Sequence, residues 1–219
     1  KTSLLERFEE AGVHHDNPII NQYIALVETL LGFPRHLSQH VGGFVISSGP
    51  LSHLVPIENA AMLMRASDSH IRFGSFEYFS YTDQHTELKQ LCDYTIETHF
   101  PKLKNSDKPY DELLLAVSEK TGNLIAHWQA FGFAHGVMNT DNMSIIGQTF
   151  DYGPYGFMEN YDPYYICNHS DDQGRYAFNR QQEMGRWNCQ ALSQALAPLT
   201  TPGLLEKALN CYEETFLSF

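Results

Sequence analysis

Apolar residues recur along this chain with two different periods, and each period predicts a different kind of element. A helical period marks DNPIINQYIALVETLLGFP, TDQHTELKQLCDYTIETHF, QQEMGRWNCQALSQALAPL and TPGLLEKALNCYEETFLSF, with proline or glycine near their ends. These four segments are predicted helices. The segment YDELLLAVSEKTGNLIAHWQAFGF has the same period but contains Gly122, so it predicts one long helix or a broken pair.

Shorter apolar runs predict β-structure before and after the central helices. GGFVISSG and AAMLMRA are predicted strands joined by the turn-rich segment GPLSHLVPIEN. AHGVMNTDNMSIIGQTFDYGP, residues 134–154, is predicted to form two short strands around a turn. The irregular segment YGPYGFMENYDPYYICNHSDDQGRYAF follows, and loops of that length are usually functional or poorly ordered. Strands followed mostly by helices predict an α+β fold, in which a small β-containing part packs on a larger helical lobe.

Composition narrows the range of partners. The chain has 219 residues, of which 42% are hydrophobic and 18% charged, as in an ordinary globular protein. Its net charge is -12, from 26 acidic and 14 basic residues. Binding to nucleic acid or to an anionic membrane draws its affinity largely from Lys and Arg, so the charge argues against both partners. No apolar run approaches the ~20 residues that a membrane-spanning helix requires.

The cysteines and the first residues of the chain set further expectations. Four widely spaced cysteines without a C-x-x-C pair are typical of structural thiols in a reducing compartment. The opening sequence KTSLLERFEEAG has no apolar signal core and no initiator methionine. We therefore expect the middle of a longer enzyme or a truncated relative.

The candidate chemistry lies in the segment 134–154. Kinase-like phosphotransferases use a histidine, a nearby asparagine and a later Asp-x-Gly, and His135, Asn142 and Asp151 fit that spacing. The asparagine and the second aspartate bind Mg²⁺ in that template. The catalytic base does not fit, because Val137 stands where an aspartate is needed. Either the chain is catalytically dead, or another carboxylate serves, and Asp141 is the nearest candidate. The alternative is an Asx-rich turn that only caps its own backbone.

Several unusual motifs together resemble one family. HGVMNTDNMSI, DYGP, ICNHSD and SHIRFGSFEYF occur in the order found in the selenoprotein O (SelO) family of protein adenylyltransferases, also described as pseudokinases. The resemblance extends from about Leu31 to about Ala197. It implies a protein-kinase-like fold, with residues 1–80 as the remnant of a small lobe and hinge and residues 81–219 as a helical large lobe. The family's Gly-rich loop, strand lysine and C-terminal redox motif are not found in this sequence.

The resemblance also implies an activity and roles for individual residues. Such an enzyme binds ATP in a flipped orientation and transfers AMP to Ser, Thr or Tyr hydroxyls of proteins. Asp141 would accept the hydroxyl proton, while Asn142 and Asp151 would bind Mg²⁺ or Mn²⁺. Arg65 and Arg72 would contact the nucleotide, as would Asp151. The expected partners are ATP and acceptor proteins, without nucleic acid or membrane. The expected location is the cytoplasm in a bacterium and the mitochondrion in a eukaryote.

Two other functions stay open. A non-catalytic pseudokinase module is favoured by the missing Gly-rich loop and lysine. Conventional phosphoryl transfer is disfavoured by Val137 at the base position. The two arginines could instead form structural salt bridges, and His135 is expected to brace the catalytic loop through backbone bonds.

Two further hypotheses concern polar residues in and near the irregular segment. Asp171, Asp172 and Arg175 could orient the loop or gate the substrate, or they could belong to a solvated turn. Cys167, His169 and Cys189 lack the paired short spacings of a structural zinc site, so zinc binding is the weaker hypothesis.

Overall fold

A computed structural model of the chain describes residues 67–219. Within that range the α-helices are α1 Phe73–Tyr81, α2 His85–His99, α3 Pro109–Ala130, α4 Gln181–Leu196 and α5 Leu204–Leu217. Two-residue strands β1 Phe133–Ala134 and β2 Gly156–Phe157 and the 3-10 turns Pro101–Leu103, Thr140–Asn142 and Phe178–Arg180 complete the regular structure there. The predicted first helix, the strands GGFVISSG and AAMLMRA, and Arg65 lie outside the described residues.

The predicted helices of the described region are confirmed. The helix α2 ends at His99, and after Phe100 a 3-10 turn begins at Pro101. The helix α3 continues without a break through Gly122, so the single long helix is the correct alternative. A Cβ atom at Gly122 would lie 2.6 Å from the backbone oxygen of Tyr212. Glycine is therefore used here for close packing of α3 on α5, not for ending a helix.

The core is formed where α3, α4 and α5 pack together and where α1 packs on α4. Tyr212 of α5 is fully buried in it, and its hydroxyl donates a 2.8 Å hydrogen bond to the backbone oxygen of Gln182. The core also contains completely buried side chains of every other helix, among them Phe73, Phe76, Leu88, Leu113, Leu114 and Leu192. Each such side chain contributes about 1.5–3 kcal/mol through removal of apolar surface from water. The described region is thus helix-dominated, with a small two-stranded sheet, in agreement with the mixed α and β content predicted.

The β-structure of segment 134–154 differs from the prediction. The sheet pairs β1 with β2 in antiparallel register, with Phe133 opposite Phe157, so its second strand lies after the segment. The run MSII forms one isolated bridge, between Ser144 and Arg72, and no strand. Its neighbouring backbone groups are already used, because the Ile145 amide donates to the Ile71 oxygen at 3.1 Å. The prediction of two strands within the segment was wrong, since partners from distant sequence occupy the backbone.

No helix between residues 67 and 219 combines the length and apolar character needed to cross a lipid bilayer.

Candidate active site

The candidate site is built on the loop between β1 and β2 and on the segment that enters α1. The 3-10 turn Thr140–Asn142 carries Asp141 and is closed by a 3.0 Å bond from the Asn142 amide to the Asn139 oxygen. The Phe73 amide donates to the Met143 oxygen at 3.1 Å, which holds the loop against the start of α1. Two segments far apart in sequence are therefore fixed side by side.

Arg72 joins two of the predicted site residues. Its Nη1 atom donates a 2.8 Å hydrogen bond to the backbone oxygen of Asp141, and its Nη2 atom forms an ion pair with the Asp151 carboxylate. The guanidinium carbon also lies 5.2 Å from the ring centre of Phe150. The Arg72 and Asp151 side chains keep 24% and 28% of their surface exposed, so solvent and a ligand can reach both. The contact of Arg72 with a nucleotide stays a prediction.

Asn142 has its side chain fixed by the loop itself. The Nδ2 atom donates a 2.9 Å hydrogen bond to the backbone oxygen of Val137. The amide oxygen is therefore the side-chain atom that can coordinate a cation. Val137, at the position where a kinase has its base, contributes a backbone carbonyl to this arrangement and no proton acceptor.

Asp151 has an uncommon backbone conformation. Its φ angle is 54°, in the left-handed region, which aspartate and asparagine tolerate better than most residues. Together Asn142 and Asp151 offer the hard oxygen donors that Mg²⁺ prefers, with phosphate and water oxygens as further ligands. Among residues 67–219, no three His, Cys, Asp or Glu side chains gather into a metal-binding group.

His135 braces the loop, as expected. The side chain is completely buried, and its Nε2 atom lies 3.1 Å from the backbone oxygen of Phe150. The Val137 amide donates to Nδ1 at 3.3 Å. Since a carbonyl oxygen only accepts and an amide only donates, these partners assign the neutral tautomer with hydrogen on Nε2. The histidine thus connects the start of the loop to the residue before Asp151.

Two amide side chains of α4 support the same loop and were not singled out from the sequence. Gln181 accepts from the His135 amide at 3.0 Å and donates to the Phe133 oxygen at 2.9 Å. Asn188 donates to the Met138 oxygen at 3.0 Å. Both side chains are completely buried. Their signal in the sequence is a seven-residue spacing, which places two amides on one face of an otherwise apolar helical pattern.

The irregular segment contains ordered turns. Both carboxylate oxygens of Asp171 accept backbone hydrogen bonds, from Arg175 at 2.9 Å and from Tyr176 at 2.8 Å. The Arg175 guanidinium lies 5.4 Å from the ring centre of Trp187. Asp171 therefore orients the loop, in agreement with the first of the two hypotheses for this motif, while gating of a substrate stays untested. Asp172 is exposed.

The cysteines behave as structural thiols. All four are free, and burial raises the pKa of Cys92 and of Cys189 to about 12. Cys167 donates to the Ala134 oxygen at 3.4 Å. In the described part of the chain no metal-binding group contains Cys167, Cys189 or His169, so the zinc hypothesis receives no support.

An aromatic cavity of about 450 Å³ adjoins the site on the side of Tyr152. Tyr152 and Tyr155 pack edge to face, with 5.0 Å between ring centres, and both contact the Phe133 ring. Tyr161 and Tyr164, further along the segment, are 79% and 73% exposed. The tyrosines of this segment are therefore divided between packing and surface.

Comparison with known proteins identifies the family. The family model described as "Protein adenylyltransferase SelO" matches residues 54–219. The chain belongs to the SelO family. The match begins later than the predicted Leu31 and includes α5, beyond the predicted end at Ala197. The SelO match contains Arg65 and every site residue predicted in the described region.

Relatives of high identity carry a consistent name. "Protein nucleotidyltransferase YdiU" of Vibrio cholerae is 56% identical over 157 residues, covering 72% of this chain and 32% of the relative. Its namesake in Aliivibrio fischeri is 57% identical over 156 residues, 71% of this chain and 32% of the relative. The one in Vibrio parahaemolyticus is 52% identical over 171 residues, 78% of this chain and 35% of the relative. The chain thus spans about a third of the length of these curated relatives.

A second family model, described as "Bacterial DNA polymerase III alpha NTPase domain", matches residues 1–79 and overlaps the SelO match over residues 54–79. It covers the smaller part of the chain and does not place the chain in that family. Arg65 and Arg72 both lie within the overlap.

Proposed function

We propose that the protein containing this chain is a nucleotidyltransferase that transfers AMP from ATP to Ser, Thr or Tyr hydroxyls of acceptor proteins. Membership of the SelO family and the names of the relatives support nucleotidyl transfer in general. The observation that supports a role for Asp141 and Asp151 is the double contact of Arg72, which binds the Asp141 backbone oxygen and the Asp151 carboxylate. One cation thereby organises the predicted base and the predicted metal ligand.

The proposed reaction gives each of these residues a role. Asp141 takes the proton from an acceptor hydroxyl, whose oxygen attacks the α-phosphorus of ATP. A new oxygen–phosphorus bond forms, the bond from the α-phosphorus to the bridging β-oxygen breaks, and pyrophosphate leaves. Asn142 and Asp151 would hold Mg²⁺ or Mn²⁺, which supplies positive charge opposite the phosphates. Arg72, and Arg65 from outside the described residues, would bind phosphate oxygens through their guanidinium groups.

The fold and domain division belong to the same proposal. A kinase-like fold accounts for a helical lobe whose catalytic loop is held by a buried histidine and by amides of α4. Residues 1–80 would then belong to a small lobe and hinge, and residues 81–219 to the large lobe. A flipped ATP places the α-phosphate toward the acceptor, as AMP transfer requires. The location proposed is cytoplasmic for a bacterial protein and mitochondrial for a eukaryotic one.

The experiment compares ATP labelled at the α-phosphate with ATP labelled at the γ-phosphate, with and without Mg²⁺. The acceptors are casein and the protein's own hydroxyl groups. AMP transfer predicts that α-label enters protein and that Asp141→Ala and Asp151→Ala each lower the incorporation by at least about 100-fold, with a measurable residual rate. Asp107→Ala is the matched control, because this exposed aspartate lies between α2 and α3, outside the Arg72 contacts.

The alternatives give different results in the same assay. Incorporation of γ-label alone would establish conventional phosphoryl transfer and overturn the proposal. If neither label is incorporated into protein and calorimetry detects no ATP binding, the remaining hypothesis is a non-catalytic pseudokinase module.

A further inference from the structure

Gly74, the second residue of α1, lies directly against the Asp141 side chain. A Cβ atom built on Gly74 would overlap the carboxylate oxygen Oδ1 of Asp141 and would lie 3.1 Å from its Cγ. The carboxylate therefore occupies the space that any other amino acid at position 74 would fill. This contact joins α1 to the catalytic loop independently of Arg72.

The backbone conformation does not require glycine at this position. Gly74 is helical and is not among the described residues with a positive φ angle. Within a helix, glycine is less favourable than alanine, because it loses more backbone entropy on folding. The backbone conformation therefore does not explain why a glycine stands here in place of a better helix former. The close approach of the Asp141 carboxylate does, because it leaves no space for a Cβ atom.

The backbone of Asp141 has little room to move away from a larger residue. Its oxygen accepts from Arg72 Nη1 at 2.8 Å, and the following loop is held by the bond from the Phe73 amide to the Met143 oxygen at 3.1 Å. A methyl group on residue 74 would consequently be accommodated by rotation of the short Asp141 side chain. That rotation would redirect the carboxylate and leave the loop in position.

We propose that Gly74 is a positioning residue, whose missing side chain fixes the direction in which the Asp141 carboxylate points. The inference rests on the proposed function, in which that carboxylate accepts the hydroxyl proton. Proton transfer needs a heavy-atom separation of about 2.6–3.2 Å, so a redirected carboxylate slows the chemical step more than substrate binding. Gly74 itself touches neither ATP nor the acceptor in this account.

Two other helical glycines provide matched controls. A Cβ at Gly122 would meet the backbone oxygen of Tyr212, and a Cβ at Gly185 would meet the Tyr212 hydroxyl. Both contacts are with Tyr212 of α5, and neither is with Asp141. Gly185 lies between Gln181 and Asn188 on α4, so Gly122 is the control for activity. Alanine at either position is expected to lower the midpoint of urea unfolding, and for Gly122→Ala the activity per folded molecule should be unchanged.

The test measures AMP transfer to casein and urea unfolding for Gly74→Ala, Gly122→Ala and Asp141→Ala. For Gly74→Ala we expect kcat to fall at least tenfold, KM for ATP to stay within twofold, and the unfolding midpoint to stay equal or rise. In the double variant Gly74→Ala/Asp141→Ala we expect no loss beyond that of Asp141→Ala, since both changes act on one carboxylate.

The outcomes separate this inference from the proposed function. If the unchanged protein incorporates no α-label, the proposed function itself fails. If it does, and Asp141→Ala and Asp151→Ala transfer AMP equally fast, the roles of these two aspartates are overturned, and the role of Gly74 with them. If both lose transfer while Gly74→Ala keeps its kcat, only the role of Gly74 is overturned. It is overturned equally if Gly74→Ala loses activity only in proportion to unfolded protein, or if its loss adds to that of Asp141→Ala.

Discussion

Arg72 donates a 2.8 Å hydrogen bond from Nη1 to the backbone oxygen of Asp141. The same guanidinium forms an ion pair with Asp151 through its second terminal nitrogen. The loop is thus held by the planar fork of an arginine, which a lysine cannot reproduce because it carries a single ammonium group. The arrangement makes Arg72 important for both stability and the proposed reaction.

Replacing Arg72 by methionine is expected to lower AMP transfer by about 10- to 100-fold and stability by about 1–3 kcal/mol, because a partly buried carboxylate and a carbonyl lose their donors. Urea denaturation and the α-label assay measure the two effects. Arg186→Met is the control, since Arg186 pairs with Glu213 on the surface with 45% and 41% exposure. An exposed pair of that kind contributes at most about 1 kcal/mol. Equal stability losses in both variants would contradict the assigned role of Arg72.

Gln181→Leu is expected to lower the free energy of unfolding by about 2–5 kcal/mol, because the Phe133 oxygen and the His135 amide would both lose their buried partner. Urea unfolding monitored by circular dichroism measures the change. Gln194→Leu on the same helix is the control, because Gln194 is exposed and its change should stay within about 0.5 kcal/mol. A Gln181→Leu protein as stable as the control would show that the two bonds contribute little.

Asp111→Ala is expected to destabilise the fold by about 1–3 kcal/mol, through loss of hydrogen bonds to a buried carboxylate. Asp111 accepts from the Thr201 amide at 2.8 Å and from the Thr201 hydroxyl at 2.6 Å, which ties the start of α3 to the connection between α4 and α5. Thermal unfolding gives the measurement. Glu119→Ala, on an exposed position of α3, serves for comparison and should leave the unfolding temperature nearly unchanged.

Stability is expected to fall in the alkaline range because of the buried thiols. Burial raises the pKa of Cys92 and of Cys189 from 9.0 to about 12. Between these values the unfolded chain binds fewer protons than the folded one, so stability is fully present below about pH 9 and decreases as the pH rises toward 12. Each thiol contributes a slope of at most about 1.4 kcal/mol per pH unit.

Urea unfolding between about pH 8 and about pH 10.5 measures this slope. The double variant Cys92→Ala/Cys189→Ala should show a shallower dependence on pH, even if its stability is lower throughout. Tyr212, whose pKa is also raised by burial, is expected to account for part of the remaining slope. An unchanged slope in the double variant would contradict the assignment to the thiols.

Local sequence located four of the five helices of the described region and indicated the candidate residues. The helix α1 was not predicted. The 3.6-residue period of apolar positions was enough to locate α2, α4 and α5, because each of these helices buries one face. The motif around Asp141, Asn142 and Asp151, with its spacing from His135, was enough to indicate the family and the kind of chemistry. Both signals lie within short stretches of chain, where spacing alone fixes which side chains are neighbours.

Only the tertiary structure decided which residues distant in sequence contact the catalytic loop and the helices. Gly122 is an ambiguous signal in the sequence, and the packing of α5 against it explains why α3 continues. The run MSII has the pattern of a strand, but residues 71–73 occupy its backbone. Gln181 of α4 forms hydrogen bonds with the backbone at the start of the loop, and Gly74 of α1 leaves the space that the Asp141 carboxylate occupies. These contacts join residues far apart in sequence, so their partners are set by the packing of helices and no local period contains them.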